Sequence, residues 1–496
     1  MKEVLYEVDQ IRQLESWVFS EQYDTEYGLM IKAGSAAFEL MTERWPEMKT
    51  LLVLCGKGNN SGDGFVLARL AQEAGLLVTV IAMAAVTEYE GPALKAAQAC
   101  VSSSIDIRQY SGILDIKADL IVDALLGIGL RGVLSQDYQA IIRQANTLQS
   151  PILSLDVPSG LEANTGAVMS EAIKAEVTIT FLGKKRGLFT GRAAEYCGEV
   201  VCHSLQLSDQ FFSRLTASAE IATWNQVRGQ LPRRKRDAHK GCFGHVLVIG
   251  GDYGFSGAVR MAAEAALRVG SGLVSVATRK EHLAVVSGTR PEIMCHPVGT
   301  EEDLYPLLEK ISVVLIGPGL GTKKWAKMLL DAVLSYDCEK VLDADALNLL
   351  SEKQAHSNQW VLTPHPGEAS RLLKTTTHWV QQDRFKAIAS LQDRYRGIIV
   401  LKGAGTLIRD EGGGVKVCPQ GNPGMASGGM GDVLSGVIAG FIAQGLSLSF
   451  SATLAVSLHA AAGDCAAAEL GERGLLASDL LSYLPRLLNS KVESSQ

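Results

Sequence analysis

The stretch Thr50-Leu-Leu-Val-Leu-Cys-Gly-Lys-Gly-Asn-Asn-Ser-Gly-Asp-Gly64 decides how the first part of the chain folds. Its first six residues form a short apolar run, the pattern of a strand buried on both faces of a parallel sheet. The glycines that follow let the backbone turn sharply and approach a ligand closely. A helix is expected from Phe65 to Ala74 and a second strand from Leu76 to Ala82. Strand, glycine loop, helix and strand make one βαβ unit. Further strands are expected at Leu120–Ala124, Pro151–Leu155 and Val177–Leu182, after a helical N-terminal segment over residues 8–45. Such alternation predicts a doubly wound sheet that binds ligands at the carboxyl ends of its strands.

The second half uses the same grammar with different motifs. Gly244-His-Val-Leu-Val-Ile-Gly-Gly-Asp252 is a strand entering a glycine turn, and an alanine-rich helix follows from Ser256 to Arg268. Strands are expected at Gly272–Ala277, Val313–Gly317, Lys340–Asp343, Trp360–Thr363 and Gly397–Lys402. The glycine-dense stretch Gly421-Asn-Pro-Gly-Met-Ala-Ser-Gly-Gly-Met-Gly-Asp-Val-Leu-Ser-Gly436 then turns abruptly apolar. This is how a helix N-terminus is offered to an anion, because the first-turn N–H groups have no partner within the helix. Asp432 stands at the mouth of that helix, where the dipole is expected to keep it ionised. The plainer alternative makes Asp432 an N-cap.

Between the halves, from about Leu205 to Lys240, the periodicity fades into Leu231-Pro-Arg-Arg-Lys-Arg-Asp-Ala-His-Lys240. A basic run beside a proline reads as a solvated linker, with Arg234, Arg236 and Lys240 also available to phosphate. The expected architecture is two three-layer αβα domains, residues 1–215 and 225–496. Length supports this, since 496 residues exceed one ordinary core. A hydrophobic content of 47% with 20% charged residues describes a well-buried globular chain. The net charge of −6 offers no electrostatic case for nucleic acid or an acidic membrane. No signal-peptide or membrane-spanning run is seen, and the nine cysteines are scattered without a C-x-x-C pair. A cytoplasmic protein with reduced thiols is expected.

Chemistry collects at the strand ends. In the first half Asn60, Asp123, Asp156 and Ser159 follow successive strands. Their carboxylate, amide and hydroxyl oxygens suit a hard cation, and the absence of clustered His and Cys argues against zinc. Singly, each Asp is equally a turn former. In the second half Asp343 and Asp345 follow one strand, either as caps of a helix from Ala346 or as site residues. His365 is fixed between two prolines in Thr363-Pro-His-Pro-Gly-Glu368, and Lys402-Gly-Ala-Gly-Thr406 combines a cation with backbone donors for phosphate. His459 lies in an apolar helix and reads as a buried, satisfied histidine.

Leu54–Gly64, Asp123–Gly132 and Asp156–Gly160 together resemble the NAD(P)H-hydrate epimerase family, over roughly residues 8–205. Ser61 stands where that family more usually has glycine. The resemblance implies a Rossmann-like fold in which Asn59, Asn60, Ser61, Gly62, Asp63, Gly127, Ile128, Gly129, Leu130, Arg131, Gly132, Tyr138 and Asp156 bind the hydrated dinucleotide. It also implies potassium held by Asn60, Asp123 and Ser159; Asp156 is the residue expected to serve there as the acid/base group. Gly317–Gly321, Thr363–Glu368, Lys402–Thr406 and Gly428–Asp432 are similar to the ADP-dependent NAD(P)H-hydrate dehydratase family, a ribokinase-like fold, over about residues 230–490. That similarity places an adenine nucleotide at Lys402, Gly403, Ala404, Gly405, Thr406 and Gly431, and the hydrated nicotinamide at Ala258, Gly319, His365 and Asp432. Asp432 is then the catalytic base, with magnesium on the phosphates. The implied activity interconverts the 6R and 6S forms of NADHX and NADPHX and dehydrates the 6S form with ADP, giving AMP and phosphate. A homo-oligomer is expected. The competing reading is a vitamin or sugar kinase with a nucleotide-binding N-terminal module.

Overall fold

The computed structural model describes residues 3–130, 132–288 and 290–490. The chain divides into two compact units, Glu3–Ala219 and a second from Glu220 onward. Among the described residues no helix is long and apolar enough to cross a membrane. All nine cysteines are free.

The sheet of the first unit is parallel throughout, in the order Asp106–Gln109, Leu77–Ala82, Thr50–Cys55, Leu120–Ala124, Ile152–Leu155, Val177–Phe181 and Glu199–His203. Leu51 to Cys55 are all buried, as the apolar run requires of a strand covered on both faces. The strand order reverses between Thr50–Cys55 and Leu120–Ala124, opening a crevice at their carboxyl ends.

Two expectations change. The helix after the first strand begins at Asn59 rather than Phe65, with Gly58 as its N-cap. Asn59–Gly64, most of the anticipated loop, is therefore helical. Glycine at 62 and 64 is tolerated there because it admits close packing: a Cβ on Gly64 would stand 2.6 Å from the Ala124 Cβ. The helical segment over 8–45 is two helices, Val8–Ser20 and Glu26–Arg44. Thr25 restarts the second by accepting a hydrogen bond from the Gly28 N–H at 2.9 Å.

The second unit carries parallel strands in the order Ile293–Pro297, Leu273–Thr278, His245–Ile249, Val313–Ile316, Glu339–Leu342, Trp360–Leu362 and Ile398–Leu401. Thr406–Arg409 and Val415–Cys418 continue it antiparallel. Here the order reverses between His245–Ile249 and Val313–Ile316. The helix Met430–Ala443 packs on Ser256–Arg268 closely enough that a Cβ on Gly436 would lie 2.1 Å from the Ala262 carbonyl oxygen. That contact brings the glycine-rich N-terminus of the first helix to the carboxyl-end rim of the sheet.

Candidate active sites

In the first unit the crevice is a cavity of about 520 Å³. Asn59, Asn60 and Asp63 come to its wall from the first turn of helix Asn59–Glu73, Gly127 to Leu130 from the next loop, and Asp156 from the strand beyond. Ser61 and Gly62 turn away: Ser61 is fully buried, and Gly62 faces Met30. Gly132 and Tyr138 do not line the cavity; the Tyr138 hydroxyl sits beside Gly56 instead. Arg131 lies outside the described residues.

Asp156 adopts a positive φ of 66°, a conformation unfavourable for a residue with a Cβ. Lys185 pins it there. The Lys185 ammonium is 1% exposed and donates to Asp156 Oδ1 at 2.5 Å, to the Phe181 carbonyl at 2.7 Å and to Thr180 Oγ1 at 3.0 Å. All three of its protons are used. Asp63 and Glu15 share the cavity with this pair. Burial, then the charges of Asp156 and Glu15, push the Asp63 carboxyl well above the ordinary range. Glu15 is raised first by burial and then by Asp156. Sequence reasoning passed over Lys185 and Glu15. Lys185 is one of two adjacent lysines after a strand, with nothing to mark which turns inward, and Glu15 reads as a solvent-facing helix position.

Asp123 is completely buried. Its carboxylate accepts from Ser159 Oγ (2.5 Å) and N (2.8 Å), Ser154 Oγ (2.9 Å) and the Leu125 N–H (3.2 Å). Burial still raises it despite these four bonds, and no Lys or Arg pairs with it among the described residues. Nearby, Asn60 Nδ2 donates to the Leu155 carbonyl at 3.2 Å, while its buried Oδ1 finds no donor. An orphaned amide oxygen and an uncompensated carboxylate fit a monovalent hard cation better than they fit a packed core.

In the second unit the rim gathers Asp343, Glu368, Lys402 and Asp432. Asp343 begins the helix Ala344–Leu350, one residue pair earlier than anticipated, but its side chain makes no cap bond. Its Oδ1 instead takes the Lys402 ammonium at 2.7 Å and the Thr363 hydroxyl at 2.8 Å. The Lys402 cation, read from sequence as a donor in its own turn, is thus drawn inward, with Glu368 Oε2 3.7 Å away. Burial pulls Lys402 down, but Asp343 and Glu368 outweigh it and hold the ammonium above its usual value. Arg384, fully buried, donates to the Leu401 and Lys402 carbonyls at 3.0 and 3.2 Å and so fixes this strand end. Burial lowers it to about 10. No sequence pattern distinguishes it from an ordinary helix arginine.

His365 serves as both cap and site residue. Its Nδ1 accepts from the Gly367 N–H at 2.9 Å, and its backbone N–H donates to Glu368 Oε2 at 2.8 Å. That leaves the proton on Nε2, 3.4 Å from Glu368 Oε1. Burial, then Lys402, lowers its affinity for a second proton. Gly429, at φ 93°, is the N-cap of helix Met430–Ala443 and Asp432 its third residue, so Asp432 is not a cap. Val433 N is the first amide to bond back, to the Gly429 carbonyl at 3.0 Å. The amides before it are left for a ligand. A Cβ on Gly431 would lie 3.2 Å from Lys402 Nζ, which shows how close the helix tip comes to the cation. Ala258 and Gly319 meet at the same rim, 3.2 Å separating the Ala258 Cβ from a Cβ built on Gly319.

The expectation of a dipole-stabilised, ionised Asp432 is overturned. Burial first, then the neighbouring charge of Asp343, lifts it to about 7. Glu368 is raised too, chiefly by burial. His459 is buried as anticipated; its Nε2 has no hydrogen-bond partner, and burial lowers it to about 4 against a backbone hydrogen bond at Met430.

Fold and sites define a two-domain α/β enzyme, each unit built on a largely parallel sheet. Residues 246–486 match the family model described as NAD(P)H-hydrate dehydratase, and residues 26–187 the model described as YjeF-related protein N-terminus. The chain is 54% identical over 486 residues to the bifunctional NAD(P)H-hydrate repair enzyme Nnr of Coxiella burnetii, covering 98% of this chain and 99% of that protein. With the Escherichia coli enzyme of the same name the identity is 42%, covering 94% and 90%. A solved ADP/ATP-dependent NAD(P)H-hydrate dehydratase from Bacillus subtilis, co-crystallized with ATP/Mg2+, is 29% identical and covers 54% of this chain and 97% of that one, with a TM-score of 0.49. The chain belongs to the family of bifunctional NAD(P)H-hydrate repair enzymes.

Two outcomes are expected. Lys185→Met should cost about 3–5 kcal/mol of stability in denaturant unfolding, because it strands a buried carboxylate. Adding Asp156→Asn should recover most of that loss; an additive double variant would show that the pair is not coupled. For Asp432 the sign is the reverse of a normal salt-bridged carboxylate. Its folded-state value is raised, so a penalty grows as pH climbs from about 4 through about 7 and is full above that. Asp432→Asn should therefore melt higher than the parent at pH 8, with the gap closing toward pH 4. A gap independent of pH would show that ionisation is not its source.

Proposed function

We infer that the chain repairs hydrated NADH and NADPH, interconverting the 6R and 6S epimers in its first unit and dehydrating the 6S form in its second at the expense of ADP. The observation that carries the second half is one cluster: Asp432 beside the Lys402–Asp343 pair, at a helix N-terminus with unspent amides.

The ring hydroxyl at C6 is a poor leaving group, so it must first become a phosphate ester. Asp432 takes the hydroxyl proton, and the oxygen attacks the β-phosphorus of ADP, breaking the bond to the bridging oxygen and releasing AMP. A base whose value lies near 7 is matched to that task at neutral pH. Amides of the Gly428–Gly431 segment and the Lys402 ammonium stabilise the charge that builds on the phosphoryl oxygens. The ring nitrogen then expels phosphate from C6, a proton leaves C5, and the C5–C6 double bond of the reduced nicotinamide is restored. His365 offers its Nε2–H toward the substrate side, alongside Ala258 and Gly319. The Lys402–Thr406 turn, held by Arg384, takes the adenine nucleotide. Magnesium would supply charge neutralisation on the nucleotide's phosphates.

Dehydration of one epimer alone would strand the other. In the first unit Asp156, fixed by Lys185, acts as the acid/base group on the hydrated ring, and Asp63, its carboxyl pushed up by burial, faces the same cavity. Asn60, Asp123 and Ser159 would hold potassium, which supplies the positive charge that Asp123 lacks.

The test separates the two activities in the full-length chain. Purified 6R and 6S forms are supplied with ADP, and the absorbance of re-formed NADH is followed. Asp432→Asn should abolish signal from both, by at least about 1,000-fold, with nucleotide binding retained. Asp156→Asn should leave the 6S form repaired and hold the 6R form to its spontaneous epimerisation rate. Retained dehydration in the first variant, or equal rates on both epimers in the second, would refute these roles. A stable phosphorylated product would point to a kinase instead. In the parent, dehydration should fall about tenfold per pH unit below about 7, as Asp432 takes up its proton; a rate flat from pH 5 to 8 would remove Asp432 as the base.

A further inference from the structure

The rim of the second unit extends well past the residues given roles above. From the Lys402 end, successive strands present Lys402, then His365 and Glu368, then Asp343 and Asp345, then Gly317–Gly321, then Asp252, and last Arg279 directly after strand Leu273–Thr278. Asp432 faces the Lys402, Glu368 and Asp343 portion. With strands about 4.8 Å apart, three steps separate strand Glu339–Leu342 from strand Leu273–Thr278, or roughly 14 Å. If the nucleotide donor fills the Lys402 side and the reacting ring sits at Asp432, the rest of a dinucleotide acceptor has this direction in which to lie.

What stands there is a prepared cation. The Arg279 guanidinium lies 4.0 Å over the Trp325 ring and 4.9 Å from that of Tyr253. Its Nε donates to Asp252 Oδ1 at 2.8 Å. Trp325 is itself held, donating from Nε1 to the Val298 carbonyl at 2.9 Å. Asp252 is tied to the acceptor loop, its N–H donating to the Gly319 carbonyl at 2.7 Å. One edge of the guanidinium is thus spent on orientation. The two terminal nitrogens bond no other described residue, and the side chain is 20% exposed. Beside it Tyr253 and Phe255 are 58% and 59% exposed, and Phe255 packs against Gly319. A guanidinium locked by stacking on one face and a carboxylate on one edge is arranged to offer its free fork to a phosphate. Exposed aromatic rings beside it suit a base or ribose.

We propose that Arg279, oriented by Asp252 and Trp325, binds a phosphate of the hydrated dinucleotide remote from the reacting ring, with Tyr253 and Phe255 covering the adenosine half. The proposal rests on the dehydratase reading for the position of the reacting ring. Its chemistry allows either the adenosine-side phosphate of the pyrophosphate bridge, common to both dinucleotides and absent from the mononucleotide, or the 2′-phosphate of NADPHX.

The experiment uses the full-length chain with Arg279→Ala and Arg279→Gln, the second keeping a planar polar group should the first fold poorly. KM is measured for the 6S forms of NADHX and NADPHX and for hydrated nicotinamide mononucleotide, which lacks the adenylate half. In parallel, Kd is measured for NADH, NADPH and reduced nicotinamide mononucleotide by calorimetry, without ADP. Loss of a charged hydrogen-bond pair should raise KM and Kd for the dinucleotides roughly 10- to 100-fold, leaving kcat, KM for ADP and every mononucleotide value within about twofold. A rise on both dinucleotides places Arg279 on the adenosine-side phosphate of the bridge, and a rise on the NADP forms alone places it on the 2′-phosphate; each supports the subsite. Unchanged dinucleotide values, or an equal rise on the mononucleotide, would overturn it. Should the parent fail to dehydrate with ADP, the dehydratase reading falls, while the calorimetric comparison still decides the subsite.

Discussion

A strand buried on both faces can carry no charge along its length, so the chemistry of such a sheet is confined to its ends. Both units of this chain obey that constraint. Leu51–Cys55 and Val313–Ile316 are sealed, and the residues given chemical roles cluster where the strands stop. The reversal of strand order then decides which ends diverge enough to admit a ligand. Every residue assigned a chemical role lies within a few positions of a strand terminus or at the tip of a helix packed over one. The exceptions confirm the cause: Glu15 comes from a helix interior and Arg384 from the first turn of helix Arg384–Tyr395, and both reach the rim only through a long side chain.

The two sites share an electrostatic arrangement despite their different folds. Each holds one buried ammonium among several carboxyl groups: Lys185 with Asp156, Asp63 and Glu15, and Lys402 with Asp343, Glu368 and Asp432. One cation neutralises one carboxylate and fixes its position. The others sit in the same desolvated volume, where the shared cation offsets burial only in part, and their affinity for protons rises. A bound pair beside carboxyls of raised proton affinity supplies the elements of acid/base chemistry, so a deficit of positive charge is what the two domains have in common.

The sequence carried most of the fold, because continuous apolar runs and glycine turns are local signals. The strand Thr50–Cys55 is legible to the residue, whereas Asp106–Gln109 and Glu199–His203, short and largely solvent-facing, leave no such mark. The start of the helix at Asn59 was hidden because the glycines at 62 and 64 look like loop residues; their helical role depends on the proximity of Met30 and Ala124, which only the packed structure supplies. In the sites, Asp156, Asp123 and Ser159 were legible as strand-end residues. Lys185, Arg384 and Arg279 were not. A lysine or arginine is common on any surface, and what sets these three apart is the partner each has found: Asp156, two backbone carbonyls, and Asp252 with Trp325.

Asp432 shows how magnitudes decide between two correct local arguments. A carboxylate in the first turn of a helix is stabilised by the dipole, an effect typically worth about 0.3–1 kcal/mol and at most about 2. Lifting a carboxyl from its ordinary value to about 7 corresponds to roughly 4 kcal/mol in the other direction. The dipole is present, but burial against Asp343, Asp345 and Glu368 outweighs it, and the nearby Lys402 is already committed to Asp343. A fully stabilised carboxylate would be a weak base, and a more deeply buried one would stay protonated at neutral pH. The balance leaves Asp432 half-ionised near pH 7, strong enough to draw a proton from a hydroxyl and available often enough to do so.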